Sequence, residues 1–156
     1  MGKYFEELQV GDEVVSGGVT VTEEAIIDFA LKYDPQRFHI DVEAATASPY
    51  GGLISSGFQT LALGFRMFFN TGFLSDTGLG SPGIQDLRWI QPVRPGDTLH
   101  TKVRIAAKRE SKSKPDRGII DLEYTVYNQR DEEVLTMKSV AFVLRAPTGN
   151  RRDTRR

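Results

Sequence analysis

The sequence lacks cysteine altogether and contains only two histidines in 156 residues. Without cysteine, the chain can form no disulfide framework, no thiolate nucleophile and no cysteine-based zinc or iron–sulfur site. Long hydrophobic runs are also missing, because the longest apolar stretch, 61–69, is interrupted by Gly64 and Arg66 and is far too short to span a bilayer. The formal net charge is -1, so overall charge favours neither nucleic acid nor an anionic membrane as a partner.

The length suffices for one domain with a sizeable core but not for two ordinary ones. Hydrophobic residues make up 39% and charged residues 26%, which is typical of a globular protein. We expect one domain over residues 1–147 and a flexible basic tail over residues 148–156, either solvated or weakly holding a phosphate-bearing ligand or partner subunit. The acidic N-terminus lacks the apolar stretch of a signal peptide, which predicts a cytoplasmic protein.

Two helices are predicted in the first third of the chain. Thr22 can act as the N-cap of the first helix, which should end at Asp34 because Pro35 disfavours helical geometry in the residue before it. Asp41 can cap a short second helix that continues to Ala45. The predicted buried side of the first helix consists of Ile26, Ile27, Phe29, Ala30 and Tyr33.

A third predicted helix, from about Ser56 to Asn70, carries apolar residues on nearly every face, which is typical of a helix surrounded by protein. After a glycine-rich loop over 71–83, the pattern changes to period two. Four alternating runs predict an antiparallel meander with one covered face, and they span 87–93, 99–108, 120–126 and 134–144. The predicted fold class is α+β, a single domain whose long antiparallel sheet wraps around a central apolar helix. An exposed sheet edge could pair with a second copy of the chain.

Asp34 and His39 form the candidate catalytic pair. They lie five residues apart in a turn-rich segment, close enough for both side chains to hold one water molecule. A carboxylate can orient that water and take its proton, and an imidazole titrates near neutrality and can carry a proton either way. The spacing alone is weak evidence, because a turn aspartate beside a surface histidine occurs often by chance. His39 and Asp41 could also be imagined as metal ligands, but no third ligand accompanies them, so we expect no metal site.

Gly57 and Ser56 are the candidate substrate-binding residues. At the start of a buried helix the Gly57 amide has no intrahelical partner, and the helix dipole favours negative charge there. Glycine also lets a ligand approach the backbone closely, although it could equally serve only tight packing. Ser56 can be either the N-cap or a hydroxyl of the site, and the cap is the favoured interpretation. Trp89 is interpreted as a core or interface residue rather than a substrate platform.

Several runs of the sequence resemble the MaoC-like dehydratases, a family that includes the (R)-specific enoyl-CoA hydratases and adopts the hot-dog fold. The similar runs are Phe29 to Asp41, Glu43-Ala44-Ala45, Gly51 to Gly57, Leu87-Arg88-Trp89 and Pro92 to Asp97. Many members have Asp-x-Asn-Pro-x-His, where this chain has Asp34-Pro35-Gln36-Arg37-Phe38-His39. Many also have His-Gly-Met where this chain has Ser56-Gly57-Phe58. The resemblance therefore implies a hydratase site without fixing the shape of the acyl pocket.

The resemblance implies a role for each candidate residue. Asp34 and His39 match the pair that adds water to the β-carbon of a trans-2-enoyl thioester, and Gly57 matches the glycine whose amide binds the thioester oxygen. A homodimer or higher homo-oligomer that acts on acyl-CoA thioesters of fatty acid metabolism without a cofactor is implied as well. Two alternatives remain open, a hot-dog acyl-CoA thioesterase and a non-catalytic acyl-thioester-binding subunit.

Overall fold

The structure of the chain, a computed structural model, describes residues 1–148. Its helices are α1 (Glu23–Tyr33), α2 (Arg37–Ile40), α3 (Val42–Thr46) and α4 (Gly57–Asn70). Its strands are β1 (Glu13–Val15), β2 (Val19–Thr20), β3 (Ile84–Trp89), β4 (Thr98–Glu110), β5 (Arg117–Tyr127) and β6 (Glu133–Leu144). The predicted basic tail lies outside the described residues except for Thr148. Within residues 1–148, no helix has the length and apolar character needed to cross a membrane.

The strands pair antiparallel in the order β1–β4–β5–β6–β3, and β2 pairs separately with β4. Buried and more exposed residues alternate along most of β4 and β5, so one face of the sheet covers the core. The fully buried side chains of these strands include Leu99, Val103, Ile105, Ile120, Leu122 and Val126. The predicted antiparallel sheet with one covered face is confirmed, and the fold class is α+β. The predicted meander holds for β4, β5 and β6 but is wrong for β3, which pairs with β6 rather than with β4.

Helix α4 packs across β4 and β5. The Thr101 hydroxyl donates to the Gly64 carbonyl at 3.0 Å, and a Cβ on Gly64 would lie 2.7 Å from Val126, so glycine lets the helix approach the sheet closely. Other positions of the helix face outward, because the side chains of Phe65 and Phe69 are 52% and 49% exposed. The prediction that protein surrounds α4 is therefore wrong for the single chain. Apolar character alone does not distinguish a face covered by its own chain from one left open.

The boundaries of α1 agree with the prediction. The Thr22 hydroxyl accepts a hydrogen bond from a backbone amide of the first turn at 3.1 Å, and Asp34 is the C-cap. Ile26 is fully buried as predicted, but Tyr33 is 70% exposed, so its predicted burial is wrong. The Tyr33 ring packs against Phe29 instead, with 5.1 Å between ring centroids, at the end of the helix where the core no longer covers it.

Four short elements are missing from the sequence prediction, namely a 3-10 helix over Phe5–Glu7, β1, β2 and α2, because two to four residues are too few to show a period. The Asp41-capped helix is confirmed as α3. The strand predicted over 87–93 is wrong in its extent, since β3 begins at Ile84 and ends at Trp89. Asp86, with a φ of 51°, lies where the β3–β6 register shifts, and this irregularity obscures the alternation at the start of the strand.

Candidate active site

Asp34 stands at the C-terminal end of α1, where its backbone amide donates to the Ala30 carbonyl at 2.9 Å. Pro35 follows with its fixed φ and no amide hydrogen, so the helix ends and the aspartate occupies a rigid turn. The Asp34 side chain is only 12% exposed. At this burial a carboxylate needs hydrogen-bond donors from the protein to replace the water it has lost.

Two side chains supply those donors. The Ser56 hydroxyl donates to Asp34 Oδ2 at 2.7 Å, and the Gln36 amide donates to Asp34 Oδ1 at 2.8 Å. Ser56 is fully buried and also accepts a hydrogen bond from the Phe58 amide at 3.2 Å, as the N-cap of α4. The N-cap interpretation of Ser56 is confirmed, and the same hydroxyl also donates to the Asp34 carboxylate. Gln36 is absent from the sequence prediction, and its position two residues after the acid is the only local signal for it.

His39 lies on α2 and is 4% exposed. Its Nδ1 is 2.7 Å from the Ile54 carbonyl, and since a carbonyl only accepts, Nδ1 carries the proton of that hydrogen bond. The other ring nitrogen, Nε2, lies 3.3 Å from Asp34 Oδ2. The structure thus brings the predicted pair together and fixes the ring orientation through the backbone of a distant segment.

The protonation of the pair follows from these contacts. Burial raises the pKa of Asp34, but the hydrogen bonds from Ser56 and Gln36 and the charge of a protonated His39 lower it more, so the pKa of this carboxyl is below its ordinary value. Asp34 is therefore ionised at neutral pH. His39, whose Nδ1 is engaged by the Ile54 carbonyl, presents its Nε2 to that carboxylate at 3.3 Å. The two side chains can thus contact the same water molecule, with the carboxylate accepting a hydrogen bond from it.

Gly57 is the first residue of α4, and its amide donates to no acceptor within residues 1–148. Its carbonyl accepts a hydrogen bond from Trp89 Nε1 at 2.8 Å. A Cβ on residue 57 would lie 2.4 Å from the Trp89 ring, so only glycine leaves room for the indole. Trp89 is 47% exposed, which makes its interpretation as a core residue wrong. Gly57 therefore combines tight packing against an indole with an amide available to a ligand.

A cavity of about 400 Å³ contains Asp34, His39 and Gly57 in its wall. Its apolar lining includes Phe38, Tyr50, Phe58, Trp89, Ile90 and Val93. No group of histidine, aspartate and glutamate side chains in the described part of the chain could hold a metal ion. The arrangement can hold water beside a carbonyl compound whose oxygen accepts from the Gly57 amide, with apolar walls around the remainder of the molecule.

Comparison with known proteins identifies the family. The MaoC like domain matches residues 7–128 of this sequence. The chain belongs to the MaoC-like dehydratase family. A crystal structure of the MaoC-like dehydratase from Rhodospirillum rubrum is 39% identical, covers 94% of this chain and 99% of its own, and superposes with a TM-score of 0.87. Its fold and those of its structural neighbours confirm the hot-dog fold predicted from the resemblance.

Two further proteins are similar to this chain in sequence. The uncharacterized protein YdeM of Bacillus subtilis is 31% identical over 130 residues, which is 83% of this chain and 91% of that protein. The 3-hydroxyacyl-thioester dehydratase Z of Mycobacterium tuberculosis is 35% identical over 86 residues, which is 54% of this chain and 57% of that protein. The MaoC-like family therefore includes dehydratases that act on acyl thioesters.

Proposed function

We propose that the protein is a hydro-lyase that adds water reversibly to a trans-2-enoyl thioester of coenzyme A and forms a 3-hydroxyacyl thioester. The observation that carries this proposal is the Asp34–His39 pair, 3.3 Å apart in the wall of a cavity that Gly57 also lines. The reaction needs an activated water and a donor for the carbonyl oxygen. Both are available within this one cavity.

In the proposed reaction, the oxygen of a water bound by Asp34 and His39 forms a bond to the β-carbon of the enoyl group. The electrons of the double bond move toward the thioester carbonyl, and the resulting enolate oxygen accepts a hydrogen bond from the Gly57 amide. The proton lost by the water passes to His39 Nε2, and the pair then returns a proton to the α-carbon. One water is added and the pair regains its starting state, so the reaction consumes no cofactor.

Neighbouring groups support these roles. Ser56 and Gln36 keep Asp34 ionised through their hydrogen bonds, and Ile54 holds the His39 ring by its Nδ1. The Gly57 amide lies at the N-terminus of a 14-residue helix, where the dipole favours an anion. Loss of one such donor typically raises a barrier by about 2.7–4 kcal/mol.

The match to 3-hydroxyacyl-thioester dehydratase Z supports the substrate class, since dehydration of a 3-hydroxyacyl thioester is the reverse of the proposed hydration. Coenzyme A as the carrier and Asp34, His39, Gly57 and Ser56 as the site residues are part of the proposal. The single domain over residues 1–147 is part of it too, and the cytoplasmic location stays a prediction.

The active form is proposed to be a homodimer. Strand β3 is an edge of the sheet, so its outer hydrogen-bonding groups are open to a second chain. Large apolar side chains are exposed on this strand and on α4: Ile84 by 48%, Trp89 by 47%, Phe65 by 52% and Phe69 by 49%. Exposed apolar residues beside an open edge strand favour pairing of two copies.

The test is a paired assay on crotonyl-CoA. Hydration removes the ultraviolet absorbance of the conjugated double bond and leaves the thioester intact. We expect this absorbance to fall without release of free thiol. Thiol release at the same rate as any absorbance change would show a thioesterase. Tight binding of crotonyl-CoA and longer enoyl-CoA substrates without turnover would show a non-catalytic binder, and either result would contradict the proposal.

A further inference from the structure

A second cavity, of about 650 Å³, lies between α4, the loop that follows it and strands β5 and β6. No charged side chain of residues 1–148 lines it, and its walls are mainly aromatic and aliphatic, including Leu61, Phe65, Phe68 and Met137. Phe58 is the one described residue that lines both this apolar cavity and the cavity of the candidate active site. Its side chain therefore stands between the two spaces.

Two contacts hold Phe58 between the cavities, one made by its backbone amide and one made by its ring. Its amide donates to the Ser56 hydroxyl at 3.2 Å, which fixes the backbone at the start of α4. Its ring meets the Trp89 indole edge to face, with 5.9 Å between centroids. Trp89 is in turn tied to α4 by its hydrogen bond to the Gly57 carbonyl. Phe58 is 58% exposed in the single chain, and its edge-to-face contact with Trp89 holds the ring at the boundary of the two cavities.

We propose that Phe58 sets the acyl chain length by closing the candidate active site against the apolar cavity. This inference rests on the proposed function, because it takes the acyl group of a thioester as the occupant of the site. With its carbonyl oxygen at the Gly57 amide, a short acyl group ends before Phe58, whereas a long unbranched chain has to pass it. The wild-type protein therefore selects short acyl groups, and the apolar cavity receives a chain only when the Phe58 ring is removed.

The experiment compares the affinities of butanoyl-CoA and dodecanoyl-CoA, measured by calorimetry below the micelle concentration, for the full-length protein and its variants. These saturated thioesters bind without reacting, so the measurement does not require hydratase activity. Each methylene transferred into an apolar cavity contributes roughly a fourfold gain in affinity. We expect Phe58→Ala to shift the dodecanoyl-to-butanoyl affinity ratio toward the longer chain by at least about tenfold. Phe58→Leu, which disturbs the helix less, should shift it in the same direction by a smaller factor.

Phe142→Ala is the matched control. It removes the same ring from β6, and of the two cavities Phe142 lines only the apolar one. It should leave the affinity ratio unchanged within about twofold. An unchanged ratio in both Phe58 variants, or a wild-type protein that binds dodecanoyl-CoA at least as tightly as butanoyl-CoA, would overturn the proposal. Failure of the hydration assay together with a shifted ratio would reject the hydratase activity and leave the role of Phe58 intact.

Discussion

The Trp89 indole lies directly over Gly57 and donates its Nε1 hydrogen to the Gly57 carbonyl at 2.8 Å. This contact joins the end of β3 to the beginning of α4, two points 32 residues apart in the chain. It explains the glycine in packing terms, since any side chain at position 57 would overlap the indole. It also fixes the backbone that carries the proposed oxyanion donor.

Gly57→Ala should destabilise the protein by about 1–3 kcal/mol, because the new methyl group displaces Trp89. Urea unfolding measures this free energy. Gly83→Ala is the matched control, since a Cβ there meets no atom within 4 Å. In a Trp89→Ala background the cost of Gly57→Ala should fall below about 0.5 kcal/mol, as expected of contacting residues in a double-mutant cycle. Additive costs would show that the indole does not restrict position 57.

Ser56→Ala should change both stability and the pH dependence of activity. Loss of the N-cap lowers the free energy of unfolding by about 1 kcal/mol. Loss of its hydrogen bond raises the pKa of Asp34, because that bond lowers the pKa in the native protein. The ionised form of Asp34 is then lost at a higher pH, so the acidic limb of the hydration rate should move to higher pH.

Thr22→Ala is the control for this variant. It removes an equivalent N-cap, the 3.1 Å hydrogen bond to the Ala25 amide of α1, without touching the site. We expect Thr22→Ala to lower the free energy of unfolding by a similar amount and to leave the pH dependence of the hydration rate unchanged. If Ser56→Ala leaves the acidic limb where it is in the wild type, Ser56 acts only as a cap.

Glu6 should contribute stability that is lost in acid. The Ala146 amide, at 2.9 Å, and the Arg145 side chain, at 2.8 Å, lower the pKa of Glu6 to about 2 from 4.5. A folded-state pKa below the unfolded value stabilises the protein above pH 4.5, and this contribution disappears as the pH falls toward about 2. Because the pair is exposed, its contribution at neutral pH should stay below about 1 kcal/mol.

Glu6→Gln should therefore lower the unfolding free energy at pH 7 and flatten its decline between pH 4.5 and about 2. Urea unfolding across this range makes the measurement. Glu24→Gln, at an exposed position in the first turn of α1, is the control and should keep the wild-type slope. If the unfolding free energy declines with the same slope in wild type and Glu6→Gln, the acid-dependent stability does not come from Glu6.

The proposed homodimer predicts that a charge on the exposed face of α4 separates the subunits. Phe69→Lys should convert a dimer to a monomer in sedimentation equilibrium, because the lysine charge would be buried without a partner. Leu31→Lys makes the same kind of change at an exposed residue of α1, 62% accessible, and should leave the dimer intact. A wild-type protein that sediments as a monomer at micromolar concentration would refute the dimer.

Most helices and long strands could be predicted because the residues that define each of them lie close together in the sequence. Thr22 and Pro35 mark the two ends of α1, and the alternation from Leu99 to Ile105 marks a strand with one buried face. The candidate pair is local in the same way, since Asp34 and His39 lie five residues apart around one turn.

The remaining parts of the site depend on contacts between distant segments. Ser56 and Asp34 are 22 residues apart, and the Ile54 carbonyl that orients His39 is 15 residues beyond it. No periodicity encodes such contacts. Nor could the sequence show that Phe58 stands between two cavities, because that position depends on how α4 packs against the sheet.

The most direct test of the proposed mechanism is the rate of crotonyl-CoA hydration by Asp34→Asn. This change keeps the size of the side chain and removes its charge. Asp28→Asn on the same helix, where the acid is 65% exposed and paired with Lys32, is the control. We predict a fall of about 100- to 10,000-fold for Asp34→Asn and a wild-type rate for Asp28→Asn. A rate for Asp34→Asn within a few-fold of the wild type, with the fold intact, would contradict the account.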